Sequence, residues 1–161
     1  MSLRKDALSW GLIALVLLLV AAAAVYVLWP QLQPHTDLHL GDGVFTARVA
    51  KTQEERAKAL TDTHSLGNEQ AMILVYDTDG KWPISMKGMK YPIDIVWLDK
   101  DKKVVYIVKN ATPESYPYEV FTPKEDARYV VEVVAGTTGK KSVTINGKAT
   151  FDENNVKGWQ L

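Results

Sequence analysis

Cysteine is absent from the 161-residue sequence. That excludes a disulfide framework, a thiolate nucleophile and any zinc site built on sulfur. Imidazoles are scarce as well: His35, His39 and His64 are the only three, and His64 stands alone in a polar stretch. No metal site and no cofactor are expected. Charge of one sign is also missing, since Lys+Arg and Asp+Glu each number 19. With no net charge and no basic stripe, nothing supports a nucleic-acid partner. No internal repeat or low-complexity tract is present.

What the chain does have is one long apolar run. Leu8 to Leu28 reads LSWGLIALVLLLVAAAAVYVL, 21 residues without a charge. As a helix rising about 1.5 Å per residue it would reach roughly 30 Å, the thickness of a bilayer core. Trp10, Tyr26 and Trp29 flank it as an aromatic belt would. Arg4 and Lys5 precede it and the next Lys or Arg is Arg48, which orients the N-terminus inward. The expected organisation is a cytoplasmic N-terminus at 1–7, a single-pass transmembrane signal anchor at 8–29, a linker at 30–42 around Pro30 and Pro34, and an extracytoplasmic domain at 43–161. Ala21 to Ala24 also supply the small residues a signal peptidase accepts, and cleavage there would leave a secreted protein.

The rest of the chain reads as β with one short helix. Residues 44–50, VFTARVA, alternate as a strand does. Thr52-Gln53-Glu54-Glu55 matches a capping box and predicts a helix to about Leu60, with Gln53, Ala57 and Leu60 facing inward. Strands are expected at 71–76, 84–87, 93–98, 103–108, 128–134, 142–145 and 148–151. Asn146-Gly147 and the DKDK of 99–102 supply turns between them. Many short strands with turn signals predict a mainly β fold, a β-sandwich or barrel, in preference to a βαβ arrangement.

Candidate chemistry concentrates in WPISMKGMKYPIDIVWLD, residues 82–99. Strand 93–98 is apolar on both faces, so Asp94 is a costly carboxylate unless it is paired or richly hydrogen-bonded. Lys87 is the nearest cation in sequence, and the MKYP connection could fold it back beside Asp94. On strand 128–134, Arg128 and Glu132 share one face roughly 13 Å apart, too far to pair directly. Asp94 and Glu132 are candidate catalytic residues for general acid–base hydrolysis. The alternative is that both hold loops in place by accepting hydrogen bonds. Met72, Met86 and Met89 read as core filler. DTDG at 77–80 lacks the ligand spacing of a calcium loop and reads as a turn. Asn110-Ala111-Thr112 matches the glycosylation acceptor pattern. The long connection 110–127 carries Pro113, Pro117 and Pro123 with Tyr116, Tyr118 and Phe121. Its rings either stack on a sugar or peptide or fold back over the sheet.

In order and spacing, EERAKAL (54–60), AMILVY (71–76), ISMKGMKYPIDIVWLD (84–99) and RYVVEVVAG (128–136) resemble the family called domain of unknown function 192. Lys87, Pro92, Asp94, Glu132 and Gly136 fall on its characteristic positions. The chain departs from the pattern at Ala59-Leu60-Thr61, Ala71, Ser85, Gly88-Met89 and Asn146-Gly147-Lys148. The resemblance implies a compact, jelly-roll-like β-sandwich, often secreted or membrane-anchored, and no particular activity. The combined expectation is a membrane-anchored extracytoplasmic binding module for an envelope polysaccharide or an exported or membrane-protein partner. Its candidate ligand-binding residues are Lys87, Asp94, Tyr116, Tyr118 and Phe121. The alternatives are a carboxylate-dependent hydrolase using Asp94 and Glu132, and a structural subunit of a membrane complex.

Overall fold

A computed structural model describes residues 3–28 and 35–154, with side chains of the first segment described at 10 and 13–26. The expected flanking features Arg4, Lys5, Trp29, Pro30 and Pro34 lie outside the described side chains, as do residues 155–161. The first segment is a helix, α1 (Leu3–Leu28). Among the described residues no helix is long and apolar enough to cross a membrane. That finding overturns the single-pass anchor expected at 8–29. The cytoplasmic and extracytoplasmic assignments of its flanks, which followed from the anchor, fall with it.

Residues 35–154 form a mixed α/β fold. The strands are β1 (His35–Leu40), β2 (Gly43–Ala50), β3 (Gln70–Gly80), β4 (Ile93–Leu98), β5 (Val104–Ala111) and β6 (Ala127–Val134). Two short helices accompany them, α2 (Gln53–Lys58) and α3 (Thr137–Lys140). The strands make one six-stranded sheet in the order β1-β2-β3-β6-β4-β5. β2 and β3 run parallel, and the other neighbouring pairs are antiparallel. A parallel pair cannot be closed by a tight turn and needs a crossover. The crossover here is the α2 segment, so the βαβ arrangement that strand counting disfavoured is present. β1 occupies 35–40, inside the stretch read as a linker. β3 runs on through Asp77–Gly80, read as a turn, with its register shifting between Val75 and Gly80.

The expected β-sandwich is absent because its second sheet does not form. Residues 84–87 contribute only a single bridge, Ile84 with Phe121, and 148–151 contribute two, Lys148 with Lys103 and Thr150 with His39. These segments alternate apolar and polar residues because they lie against a sheet, not because they are rungs of one. One face of the sheet, with Phe45, Ile73, Val96 and Val131, is covered by Val143, Ala149 and Phe151. The other, with Leu74, Ile95, Trp97 and Val130, is covered by Leu60, Ile84 and Met86. β4 is buried at every position, which explains its continuous apolar run. The β1–β2 turn is tied to the end of α3, where Asp42 N–H donates to the Lys141 carbonyl at 2.7 Å. Gly41 makes that approach possible: its φ is +57°, and a Cβ there would stand 2.0 Å from the Lys141 oxygen.

Candidate functional site

Strand register places Arg48, Met72, Glu132 and Ile95 in one row across β2, β3, β6 and β4. Side chains in such a row point the same way, so Glu132 projects onto the face built from Met72, Leu74 and Ile95. It is only 4% exposed, and its Oε2 has no hydrogen-bond partner. Burial pushes its carboxyl up to about 7, while the Arg48 charge pulls the other way. A buried acid in this state can give or take a proton near neutral pH.

Glu132 lies in the lining of a cleft of about 540 Å³. Leu74 and Ile93 join it from the sheet, Gln53, Arg56 and Leu60 from α2 and its C-terminal extension, and Trp82 to Ser85, Lys87 and Met89 from the segment before β4. The α2 wall is set by its capping box: Thr52 Oγ1 accepts from Glu55 N–H at 3.2 Å, and Glu55 Oε2 accepts from Thr52 N–H at 2.9 Å. The helix buries no residue of its own. Gln53 and Ala57, expected to face a core, instead line the open cleft, and only Leu60 is fully buried. Arg56 fixes the helix to the sheet. Its Nη1 donates to the carbonyls of Lys51 and Val75, and its guanidinium lies 4.7 Å over the Tyr76 ring. Tyr76 in turn stacks on Trp82 at 4.2 Å with an interplanar angle of 6°. The Trp82 backbone is held from below, where its carbonyl accepts from Trp97 Nε1 at 2.9 Å. Lys87 is exposed on the rim.

Asp94 is elsewhere. It is fully buried on the opposite face of the sheet, pairing in register with Val133 while Ile95 pairs with Glu132. Its Oδ1 accepts from the backbone N–H groups of Asn110 at 2.8 Å and Gly136 at 3.1 Å. Its Oδ2 accepts from Thr138 N–H at 2.9 Å and Thr138 Oγ1 at 2.7 Å. Four donors satisfy the carboxylate and tie β4 to the end of β5 and the start of α3. The alternation of side chains along β4 and β6 therefore separates Asp94 from Glu132. Asp94 and Glu132 form no carboxylate dyad, and the hydrolase expected from that pair has no geometry to use. Lys87 shares a cleft with Glu132, not with Asp94. Arg128 is taken by Asp79 at 2.8 Å.

The aromatic loop divides as well. Phe121 folds back, exchanging backbone hydrogen bonds with Ile84 at 2.8 and 2.9 Å, whereas Tyr118 is 91% and Tyr116 42% exposed. Among the described residues no cluster of His, Cys, Asp or Glu could hold a metal ion. Arg56, Tyr76 and Trp82 were not among the residues expected from sequence. The one available signal was the capping box, which places Arg56 on a helix of fixed start.

The profile of the DUF192 family, described as Uncharacterized ACR, matches residues 36–151. Two solved structures share the fold. One, a proposed transcription regulator from Sinorhizobium meliloti 1021, aligns with a TM-score of 0.66 at 21% identity, covering 73% of this chain and 92% of its own. The other, a protein of unknown function from Novosphingobium aromaticivorans DSM 12444, aligns with a TM-score of 0.65 at 24% identity, covering 72% of this chain and 83% of its own. No curated protein matches the chain. With no membrane-crossing helix among the described residues, the expected roles do not hold: neither the anchored module for an envelope polysaccharide or exported protein nor the membrane-complex subunit.

Proposed function

The chain belongs to the DUF192 family, and on that premise we propose that it is a small-molecule-binding domain whose polar anchor is Glu132. The observation that carries the reading is the unpartnered Oε2 of a carboxyl that is 4% exposed and lines an open cleft. A buried polar atom left without a partner costs about 1–3 kcal/mol. Structural carboxylates avoid that cost by collecting donors, as Asp94 does. An unsatisfied group of this kind calls for an explanation, and a functional role is one. The cleft also has the make-up of ligand sites: apolar and aromatic walls, few polar groups, and a volume within the usual range of roughly 300–1,000 Å³.

The test is amide NMR of the full chain against indole and phenyl fragments. Shifts should concentrate at the Trp82 indole N–H, residues 85–89 and Glu132, and should vanish in Glu132→Leu. That variant keeps the fold, since it replaces an unpaired buried carboxyl by an apolar side chain of similar size. Shifts scattered over the surface, or unchanged by Glu132→Leu, would refute the reading.

A further inference from the structure

We propose that the cleft takes a small organic carboxylate with an apolar body, its charge held by Lys87 and Arg56 and a hydrogen-bonding atom of it meeting Glu132. The proposal rests on the reading of this cleft as a ligand site and adds the chemical class of the ligand.

The charge balance of the lining carries it. The charged residues that line the cleft are Arg56, Lys87 and Glu132, two cations against one acid. Three further groups act from the elements packed around Glu132: Arg48 from β2, Tyr76 from β3, and Tyr91 from the segment leading into β4. Arg48 adds a third positive charge, and both tyrosines stay neutral because burial raises them above their ordinary value. Glu132 itself is held part-protonated by burial. Glu55, outside the lining, interacts with Arg56, but within the lining the cations outnumber the acid, and low-dielectric walls strengthen what charge is there.

The cations are also available. No described carboxylate lies within ion-pair distance of Lys87. Arg56 spends Nη1 on two carbonyls, and its Nε and Nη2 make no hydrogen bond among the described residues. Its guanidinium is held over the Tyr76 ring by these bonds, so little rotamer freedom remains to be lost when an anion arrives. Glu132 completes the set: protonated, it can donate to an acceptor, a role a fixed carboxylate cannot fill.

The walls select the body of the ligand. Leu60, Leu74, Ile84, Met89 and Ile93 make up the apolar part of the lining, beside the rim cations. Inorganic anions would leave that part unused. An amine would place its charge beside the lining cations and gain only a part-protonated acid as its partner.

Three probes with one ring and different charge decide the matter: indole-3-acetate, indole-3-acetamide and tryptamine, titrated into the full chain near pH 7. Indole-3-acetate should bind about tenfold or more tighter than tryptamine, with shifts at Trp82 and Glu132. Lys87→Gln, a change at an exposed position, should reduce that preference to about threefold or less. If tryptamine or the amide binds the cleft as tightly as the acid, the anion class is wrong while the ligand-site reading stands. If the acid binds there with its preference unchanged in both Lys87→Gln and Arg56→Gln, the assigned cations are wrong. If none of the three perturbs the cleft, both the class and the ligand-site reading fall.

Discussion

At the scale of single residues, two carboxylates on neighbouring strands have opposite fates. Asp94 collects four hydrogen bonds, while Glu132 Oε2 has none. Asp94→Asn turns an acceptor-only group into one that presents N–H to other donors, and it should cost about 3 kcal/mol or more in urea unfolding. Glu132 should behave in reverse. Its folded value of about 7 stands above the ordinary 4.5, so between those limits the native state binds more protons than the unfolded chain. Stability therefore falls as pH rises through this window. The loss is on the order of 3 kcal/mol and is complete above about pH 7. Glu132→Gln should remove that slope when unfolding is compared at pH 5 and pH 8. A wild type equally stable at both would contradict the buried, unpaired acid. The sequence exposed Asp94 as a carboxylate in need of donors, because it sits in a strand apolar on both sides. It could not show that the donors come from Gly136 and Thr138, more than 40 residues away, nor which face Glu132 takes, since both depend on strand register.

At the scale of elements, α2 is the vulnerable wall. A six-residue helix with no buried residue cannot persist on its own propensity. It stands because the capping box starts it and Arg56 bonds it to the sheet. Thr52→Ala should cost about 1 kcal/mol and accelerate amide exchange at residues 53–60 more than in β4 or β6. It should also weaken indole-3-acetate binding, because Gln53, Arg56 and Leu60 come from this wall. Uniform acceleration of exchange would mean that the helix opens only with the whole domain. The capping box was legible because its chemistry is local, and so were β2, β4 and β6. Segments 84–87, 142–145 and 148–151 were misread because alternation records only that one side of a segment is buried. It does not say whether the backbone on its flanks is paired. Ile84 and Met86, like Val143 and Phe151, satisfy the pattern by lying on a face of the sheet.

At the scale of the whole molecule, one sheet separates two apolar layers, and the cleft belongs to one of them. The opposite layer is closed by the chain around Phe151. That ring meets Tyr129 edge-on at 5.1 Å and lies 4.4 Å beneath Lys102 Nζ, which also donates to the Phe151 carbonyl at 2.7 Å. Nearby, Thr150 bridges to β1 and Lys148 to Lys103 just before β5, so one short segment fastens both edge strands of an open sheet. Because all six strands contribute side chains to the layer that Phe151 covers, its loss should be felt globally. Phe151→Ala should cost about 3 kcal/mol, and unfolding should remain a single transition in which near- and far-UV circular dichroism coincide. An earlier loss of the near-UV signal would mark the 143–151 segment as a separate cooperative unit. The same variant also tests how far the cleft depends on the rest of the fold. Phe151 and Glu132 lie on opposite faces with no shared partner, and effects of such sites add independently. Indole-3-acetate affinity should therefore survive Phe151→Ala at temperatures where the domain is still folded, while Thr52→Ala lowers it. An equal loss in both variants would mean that the sheet transmits strain between its two layers, and that the cleft cannot be treated as the work of one face alone.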